Sequence, residues 1–529
     1  MAIRRFENTP ETSDIKALAQ KIGFHHLETV DLEDLETDLI RGLPLSLARE
    51  QQFLPLWKVD DGLVVAISQP YRTDILSDIE LYYQQKITPV LFEEAKLLQL
   101  INQAYDKAAQ SATAVMQEME EDGTLESDEE IFVGEDLLDN PQAAPMVRFV
   151  NSLLSQAIKQ KASDIHIEPF EKDLSVRLRV DGVLQEVVQP PRAWKGQLVS
   201  RIKVMANLDI AKKNIPQDGR IRIRMAGREV DNRVSTLPVR HAERVVMRLL
   251  EKKAEFSMET LGMNADTLDT FREMIRRPYG IILVCGPTGS GKTTTLYSAL
   301  SEINSPDKNI LTIEDPIEYE LRGIGQTQVM PKIGLTFGRV IRAHLRQDPD
   351  IILVGETRDK ETAENAIQAS LTGHLVFSTI HTNDAATAFT RLVDMGIEPF
   401  LVATSLVAIL AQRLVRKLCD DCKEPFTPTA EQLRKIGIHS EHVTKPFYKA
   451  VGCPKCGNKG YRGRMGIYEL LIVDEDIRRG VASGQDAAAI KNICVSKGMR
   501  TLRGDGNIQA MNGKTTIDEV LRITAESME

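Results

Sequence analysis

Apolar and polar positions along this chain repeat with two different periods, and the changes of period mark its elements. Short, mainly apolar runs, Ile281–Val284, Ile351–Val354 and Leu375–Ile380, predict strands buried on both faces, as in a parallel sheet. Ile310-Leu-Thr-Ile313 reads the same way. Strict alternation in SVRLRV and GVLQEVV around Asp181-Gly182 predicts a β-hairpin, since Asp-Gly supplies the turn. IRIRM and REVDNRV alternate around Ala226-Gly227. Helical spacing appears at Ile15, Leu18, Ala19 and Ile22, in MVRFVNSLLSQAIKQ, over Asp74–Tyr83, and in TTTLYSALSEI after Gly291. Leu43-Pro-Leu-Ser-Leu-Ala starts another helix, and Leu63–Ser68 is a strand. The longest apolar run, Phe400–Ala411, includes Thr404 and Ser405 and is shorter than the roughly twenty residues of a bilayer span. It reads as a buried helix, so no membrane span is expected.

The expected architecture is α/β and multidomain: a phosphate-loop nucleotide domain with a parallel sheet, preceded by α+β domains and followed by a metal-binding and helical region. The 529 residues divide into 1–106, a partner-docking or scaffolding unit; 107–145, an acidic linker; and 146–255, an α/β domain. Then come 256–415, the nucleotide domain; 416–460, a tetracysteine subdomain; and 461–529, a helical region with glycine-rich breaks at GYRGRMG and RGDGN. The stretch 108–147 has no Lys or Arg, and Glu118–Asp139 is dense in acids, which reads as a flexible tether or an acidic surface helix. A net charge of −10 argues against a general nucleic-acid binder. Ile3-Arg4-Arg5 leads into polar residues, so no signal peptide is expected and the protein reads as cytoplasmic.

The chemistry centres on Gly286-Pro287-Thr288-Gly289-Ser290-Gly291-Lys292-Thr293, placed between an apolar strand and a helix. In that setting Gly289 and Gly291 let backbone N–H groups close on phosphate oxygens, and the helix N-terminus adds partial positive charge. Lys292 would reach the β- and γ-phosphates, and Thr293 would hold Mg²⁺. The other buried runs each end in a reactive residue: Glu314, Glu356 and His381. In an open parallel sheet, ligands bind beyond the carboxyl ends of the strands, so these ends would converge on one nucleotide. Glu356 suits the outer shell of Mg²⁺, Glu314 could deprotonate the attacking water, and His381 could hydrogen-bond the γ-phosphate. Acids at strand ends also serve as helix caps. Arg220, Arg222, Arg224 and Arg228 form a basic stripe that a solvated strand face also explains.

Six cysteines in a reducing compartment point to metal ligands or core residues. Cys419–Cys422 and Cys453–Cys456 are two C-x-x-C pairs, and four thiolates make a closed tetrahedral zinc site with a structural role. A redox reading is weaker, because neither pair opens a βαβ unit. Cys285 and Cys494 read as core.

The chain resembles the secretion ATPases of the type II secretion and type IV pilus superfamily, most specifically its E-type assembly ATPases. The resemblance covers about residues 145–525 and rests on ASDIHIEP, RLRVDG, IPQDGR, GPTGSGKT, TIEDPIEY, LRQDPDIILVGETRD, TGHLVFSTIHTND, the four cysteines and GRMGIYELL. It implies a RecA-like fold for the nucleotide domain, a cytoplasmic homo-hexamer, and ATP, Mg²⁺ and Zn²⁺ as cofactors. It gives Lys292 and Thr293 the Walker A roles, Glu314 that of the catalytic Glu, Glu356 the Walker B role and His381 the His-box role. Arg233 and Arg248 would approach the phosphates from the second N-terminal domain, with Arg342 and Arg346 as a further arginine cluster. One departure is Arg240-His241-Ala242-Glu243-Arg244, where the family commonly has Gly before Glu-Arg. The implied function is to power pseudopilus assembly, with the cytoplasmic domain of an inner-membrane secretion protein and the platform protein as partners. A pilus-extension ATPase is the alternative; a DNA motor and a binding-only pseudoenzyme are the readings from other classes.

Overall fold

The computed structural model describes residues 16–108 apart from 17, 20, 41–42 and 60–61, then 113, 116, 145–225, 228–251, 256–438 and 445–525. The acidic stretch 118–139, the turn at Ala226-Gly227 and part of the helix expected around Ile15–Ile22 lie outside these residues. The chain forms two compact units, Met1–Lys252 and Lys253–Glu529.

The first unit contains two sheets. The smaller joins β1 (His25–His26), β2 (Phe53–Val59), β3 (Gly62–Ile67) and β4 (Ile87–Leu91) in the order β1-β4-β3-β2. Helices α1 (Leu45–Glu50), α2 (Thr73–Tyr83) and α3 (Glu94–Ala108) accompany it. Leu54, Leu56, Leu63, Val65, Leu97 and Ile101 are buried in its aliphatic core. The larger sheet follows α4 (Pro145–Lys159) and has six antiparallel strands: β5 (Ala162–Pro169), β6 (Leu174–Val180), β7 (Val183–Val188), β8 (Gln217–Met225), β9 (Arg228–Val239) and β10 (Ala242–Glu251), ordered β7-β6-β5-β10-β9-β8. Asp181 and Gly182 both take positive φ at the β6–β7 turn, as an Asp-Gly hairpin requires. One face is apolar: Phe149 and Leu153 of α4 and Leu198 and Ile202 of α5 (Lys195–Met205) pack on Ile165, Val176, Leu178 and Val245.

The other face is charged. Register places Arg220, Arg233, Arg248, Asp164 and Arg179 in one row across β8, β9, β10, β5 and β6. Arg248 Nε lies 2.9 Å from Asp164 Oδ1. Arg177 and Arg244 both engage the buried Glu168, at 2.5 and 2.7 Å. The predicted stripe therefore continues over neighbouring strands, as only cross-strand register reveals.

The second unit is built on one seven-stranded sheet ordered β13-β12-β14-β15-β11-β16-β19. Its strands are β11 (Gly280–Cys285), β12 (Ile310–Glu314), β13 (Gly325–Gln328), β14 (Ile351–Val354), β15 (Leu375–Ile380), β16 (Leu406–Leu418) and β19 (Tyr461–Ile472). All pairings are parallel except β16–β19. Alternate side chains enter separate cores, as the strand period of two demands. Ile282, Val284, Leu353 and Phe377 pack under α6 (Ala265–Ile275) and α7 (Lys292–Ile303). Ile281, Leu283, Ile352, Val354 and Val376 pack on the opposite side. That side carries α8 (Phe337–His344), α9 (Lys360–Leu371), α10 (Thr387–Asp394) and α11 (Pro399–Ser405).

Two sequence expectations fail here. Phe400–Ala411 is not one buried helix: α11 ends at Ser405 and the rest is the start of β16. A continuous apolar run does not reveal its own period, and buried residues of both elements, Val402 and Ala403 of α11 and Leu406–Leu410 of β16, fall within it. Neither glycine-rich stretch is a break: GYRGRMG starts β19, which closes the sheet antiparallel to β16, and RGDGN (503–507) lies inside a helix, Leu502–Met511. Between these strands lie β17 (Glu424–Phe426), α12 (Ala430–Ile436) and β18 (Phe447–Lys449). Four helices follow: α13 (Glu475–Ala482), α14 (Ala487–Ser496), α15 (Leu502–Met511) and α16 (Ile517–Thr524). They are integral to the unit, since Ile477, Val481, Ile490 and Leu502 join the core on one sheet face. Buried Glu469 of β19 accepts from the N–H groups of Ala385 and Leu502 at 2.9 and 3.2 Å.

Candidate functional site

The loop Gly286–Gly291 joins β11 to α7 at the carboxyl edge of the sheet. Gly286 and Gly291 have φ of 149° and 89°, and a Cβ at either would lie within 2.8 Å of Gln412 atoms. Backbone freedom and close approach both demand glycine there. Helix α7 opens with Thr295 N donating to Gly291 O at 3.1 Å. Lys292 Nζ donates to the carbonyls of Gly286 and Pro287 at 2.8 and 3.0 Å, folding the ammonium over the loop. Burial is the main cause that brings its pKa down to about 8; the Arg413 charge adds to this, and Cys285 and Glu356 oppose it. Thr293 is exposed on the first turn, and Ser290 Oγ is buried without a hydrogen-bond partner among the described residues.

Glu356 and His381 meet beside this loop. Glu356 Oε2 lies 2.6 Å from Arg358 Nε and 3.9 Å from His381 Nε2. Threonines lock the strand ends that carry them: Thr357 N donates to Thr379 O at 2.8 Å, and Thr379 Oγ1 to Gly355 O at 2.7 Å. Burial, then the Lys292 charge, holds the His381 pKa below its ordinary value, with Glu356 opposing. The imidazole is therefore neutral near neutral pH. Lys292, Glu356 and His381 form one electrostatically coupled group.

Glu314 stands differently. Its backbone adjoins the group, since a Cβ on Gly355 would lie 3.3 Å from Glu314 Cα. Its carboxylate is buried, and both oxygens are engaged. Oε1 accepts from Thr312 Oγ1 at 2.6 Å and Gln326 Nε2 at 3.0 Å, and Oε2 accepts from the Tyr297 hydroxyl of α7. Strand parity explains this, because Ile310, Thr312 and Glu314 all face the α7 side. The Thr312-x-Glu314 spacing carries that signal; Tyr297 and Gln326 carry none that marks them as partners of the acid.

The arginines occupy other positions. Arg342 Nη1 pairs with Glu361 Oε1 at 2.6 Å, and Arg346 Nη1 donates to Arg342 O at 2.6 Å, both at the C-terminal end of α8. Among the described residues, no hydrogen bond or ion pair joins either to the loop. Arg233 and Arg248 lie on the charged sheet face of the first unit, as cross-strand neighbours.

Cys419, Cys422, Cys453 and Cys456 come together, their four Sγ atoms within 4.8 Å of one another. The separations are 3.9 Å for Cys419–Cys453, 3.8 Å for Cys422–Cys456 and 3.7 Å for Cys453–Cys456. A tetrahedron with Zn–S bonds of about 2.3 Å needs S···S separations of about 3.8 Å, so the residues fit the metal. Cys456 Sγ also accepts from the N–H groups of Cys453 and Gly460, both at 3.2 Å, which stabilises a thiolate. Cys285 and Cys494 are buried, as expected of core thiols. Among the described residues, no helix is long and apolar enough to cross a membrane.

Comparison with known proteins agrees with this geometry. Residues 139–522 match the family model described as type II/IV secretion system protein, and residues 25–111 match the MshEN domain. The type II secretion system ATPase E of Vibrio cholerae is 48% identical over 496 residues, covering 93% of this chain and 98% of that protein. The type IV pilus assembly ATPase PilB of Myxococcus xanthus is 44% identical over 512 residues, covering 96% and 90%. The solved structure of the Legionella pneumophila ATPase DotB superposes with a TM-score of 0.54 at 22% identity, covering 72% of this chain and 95% of that one, a likeness of fold. A phosphate loop between β11 and α7, acids at the neighbouring strand ends and a family match over most of the length lead to one conclusion: the chain is a P-loop ATPase of the type II/IV secretion system protein family.

Proposed function

We propose that this protein hydrolyses ATP to drive pseudopilus assembly and protein export in type II secretion. The observation that carries the proposal is the convergence of Lys292, Glu356 and His381 at the carboxyl edge of a parallel sheet. The 48% identity to the Vibrio ATPase over nearly its full length supports the biological assignment.

In this reading the backbone N–H groups of Gly286–Thr293 cradle the phosphates, and Lys292 spans the β- and γ-phosphates. Thr293 and, through water, Glu356 would hold Mg²⁺, which would supply positive charge to neutralise the phosphate oxygens. His381 hydrogen-bonds the γ-phosphate as a neutral imidazole. Glu314 is the base for water, and to act it must exchange a hydrogen bond from Thr312, Gln326 or Tyr297 for one from the water. Arg233, Arg248, Arg342 and Arg346 supply positive charge to the phosphates when units of a homo-hexamer close. Cys419, Cys422, Cys453 and Cys456 hold a structural zinc. The N-terminal unit docks on the cytoplasmic domain of an inner-membrane secretion protein and the motor acts on the platform protein, keeping the ATPase at the cytoplasmic side of that membrane. Pilus extension is the second reading, favoured by 44% identity to a pilus assembly ATPase.

Two measurements test this. Glu314→Gln and Glu356→Gln should keep the parent melting temperature and Lys292→Ala should keep or raise it, while all three lose Mg-dependent ATP turnover by about a hundredfold or more. Full parental turnover in any of them removes that residue from the mechanism. Pull-down with the cytoplasmic domains of secretion and pilus membrane partners separates the two readings; capture by the pilus partner alone defeats the first.

A further inference from the structure

The residue that shapes the phosphate loop from outside is Gln412, in the middle of β16. Its side-chain amide makes two buried contacts. Oε1 accepts from the Thr295 hydroxyl at 2.8 Å, and Nε2 donates to the Ser290 carbonyl at 2.8 Å. Ser290 is the loop residue before Gly291, and Thr295 lies at the end of the first turn of α7. One rigid amide therefore braces both ends of the segment that carries Gly291, Lys292 and Thr293.

The Ser290 contact has a directional effect. In a planar trans peptide, C=O and N–H point in opposite directions. Holding the Ser290 carbonyl on Gln412 fixes the Gly291 N–H at the opposite edge of that peptide, pointing away from the Gln412 amide. Among the described residues, no carbonyl or side chain accepts a hydrogen bond from that N–H. Gly291 sits at φ 89°, a region glycine enters and leaves at little cost, so nothing in its own backbone would stop this peptide from flipping if the Gln412 contact were lost. The packing is tight around the same strand: a Cβ on Gly286 would lie 2.5 Å from Gln412 O, and one on Gly291 2.8 Å from Gln412 Nε2. The adjacent Arg413 donates through Nη2 to Asn383 Oδ1 at 3.0 Å, two residues beyond His381.

We propose that Gln412 is a positioning residue for ATP: its amide pins the Ser290–Gly291 peptide so that the Gly291 N–H is presented to the phosphates. The inference rests on the phosphate-loop reading and goes beyond it. An apolar side chain of similar length at position 412 leaves this peptide free to turn its carbonyl toward the phosphates instead.

The test uses full-length Gln412→Met and Gln412→Glu, with ATP and ADP affinity, kcat, KM and the nucleotide-free melting temperature as readouts. Glutamate keeps the acceptor for Thr295 but, ionised, cannot donate to the Ser290 carbonyl. Gln412→Met should fold, melting somewhat below the parent, yet bind ADP and ATP about ten- to a hundredfold more weakly, the weight of one charge-assisted hydrogen bond, with kcat/KM falling in step; Gln412→Glu should weaken binding in the same direction and melt lower still, because it buries an unpaired carboxylate. If Gln412→Met fails to fold, Thr295→Val, which releases the other end of the amide, should show a smaller loss in the same direction. Folded Gln412→Met with affinity and kcat within about twofold of the parent overturns the proposal. Lys292→Ala is the control: if it too retains activity, the phosphate-loop reading itself has failed; if only it loses activity, the failure is confined to Gln412.

Discussion

At the scale of single residues, the site works by placing charge where water is scarce. Burial brings the Lys292 ammonium down from its ordinary 10.5 to about 8. The sign of the consequence is fixed. A phosphate beside the amine favours its charged form, so above about pH 8 ATP binding draws in a proton and affinity falls as pH rises. Titration calorimetry in buffers of different ionisation enthalpy should record proton uptake approaching one per nucleotide between pH 8.5 and 9.5, a window of about one unit set by that pKa. The same amine lowers the stability of the nucleotide-free protein below pH 8 and ceases to do so as pH rises toward 10.5. Lys292, Thr293, Glu356 and His381 were all legible in the sequence, because each sits at the end of an apolar run or in a motif whose spacing is dictated by phosphate geometry. Gln412 and Tyr297 were not. Their neighbours in sequence look like core, and their partners lie more than a hundred residues away for Gln412 and on another element for Tyr297.

At the scale of elements, β16 does the most. It pairs with β11, braces the loop through Gln412, and ends at Leu418, one residue before the first metal-site cysteine. Its outer end is held by α16. The Glu519 carboxylate, buried, accepts from Arg416 Nη2 at 2.8 Å and from Arg522 Nη2 at 2.6 Å. Burial alone would raise its pKa, but hydrogen bonds from Arg522 and Arg416 outweigh this and bring it down to about 2. The stability it contributes is therefore complete above pH 4.5 and lost as pH falls from there toward 2. Arg416→Ala removes one of the two arginine partners of this carboxylate and leaves Arg522, so it should cost about 1.5 to 3 kcal/mol in urea unfolding, the weight of a hydrogen bond to a charged group, with a shift of the acid transition to higher pH. The parallel core strands were readable because short, mainly apolar runs of four to six residues have few other uses. β16 was not, since the run that begins it fuses with α11, and β19 was hidden by glycines and arginines that resemble a loop.

At the scale of the whole molecule, the chain is two compact units, and the four-cysteine cluster belongs to the second. Four converging sulfurs contribute to folding only when metal joins them, on the order of 10 kcal/mol for a structural zinc. Removing zinc with a chelator, or Cys453→Ser, should expose 419–460 to proteolysis and leave one equivalent of zinc lost per chain by elemental analysis. Leu433, Ile436 and Phe447 of this segment pack on Ala510, Ile517 and Val520, so α15 and α16 should loosen as well. The six-stranded sheet of the first unit was visible in outline from its alternating runs, yet the row of Arg220, Arg233 and Arg248 emerges only once register is known. The pairing of Leu418 with Tyr461 has a last consequence. A segment whose two ends are neighbouring rungs of one ladder can lengthen, shorten or change its content without altering the path of the strands that bear it. Residues added at the exposed turns of this segment should therefore leave the strand that steadies the ATP-binding turn where it is.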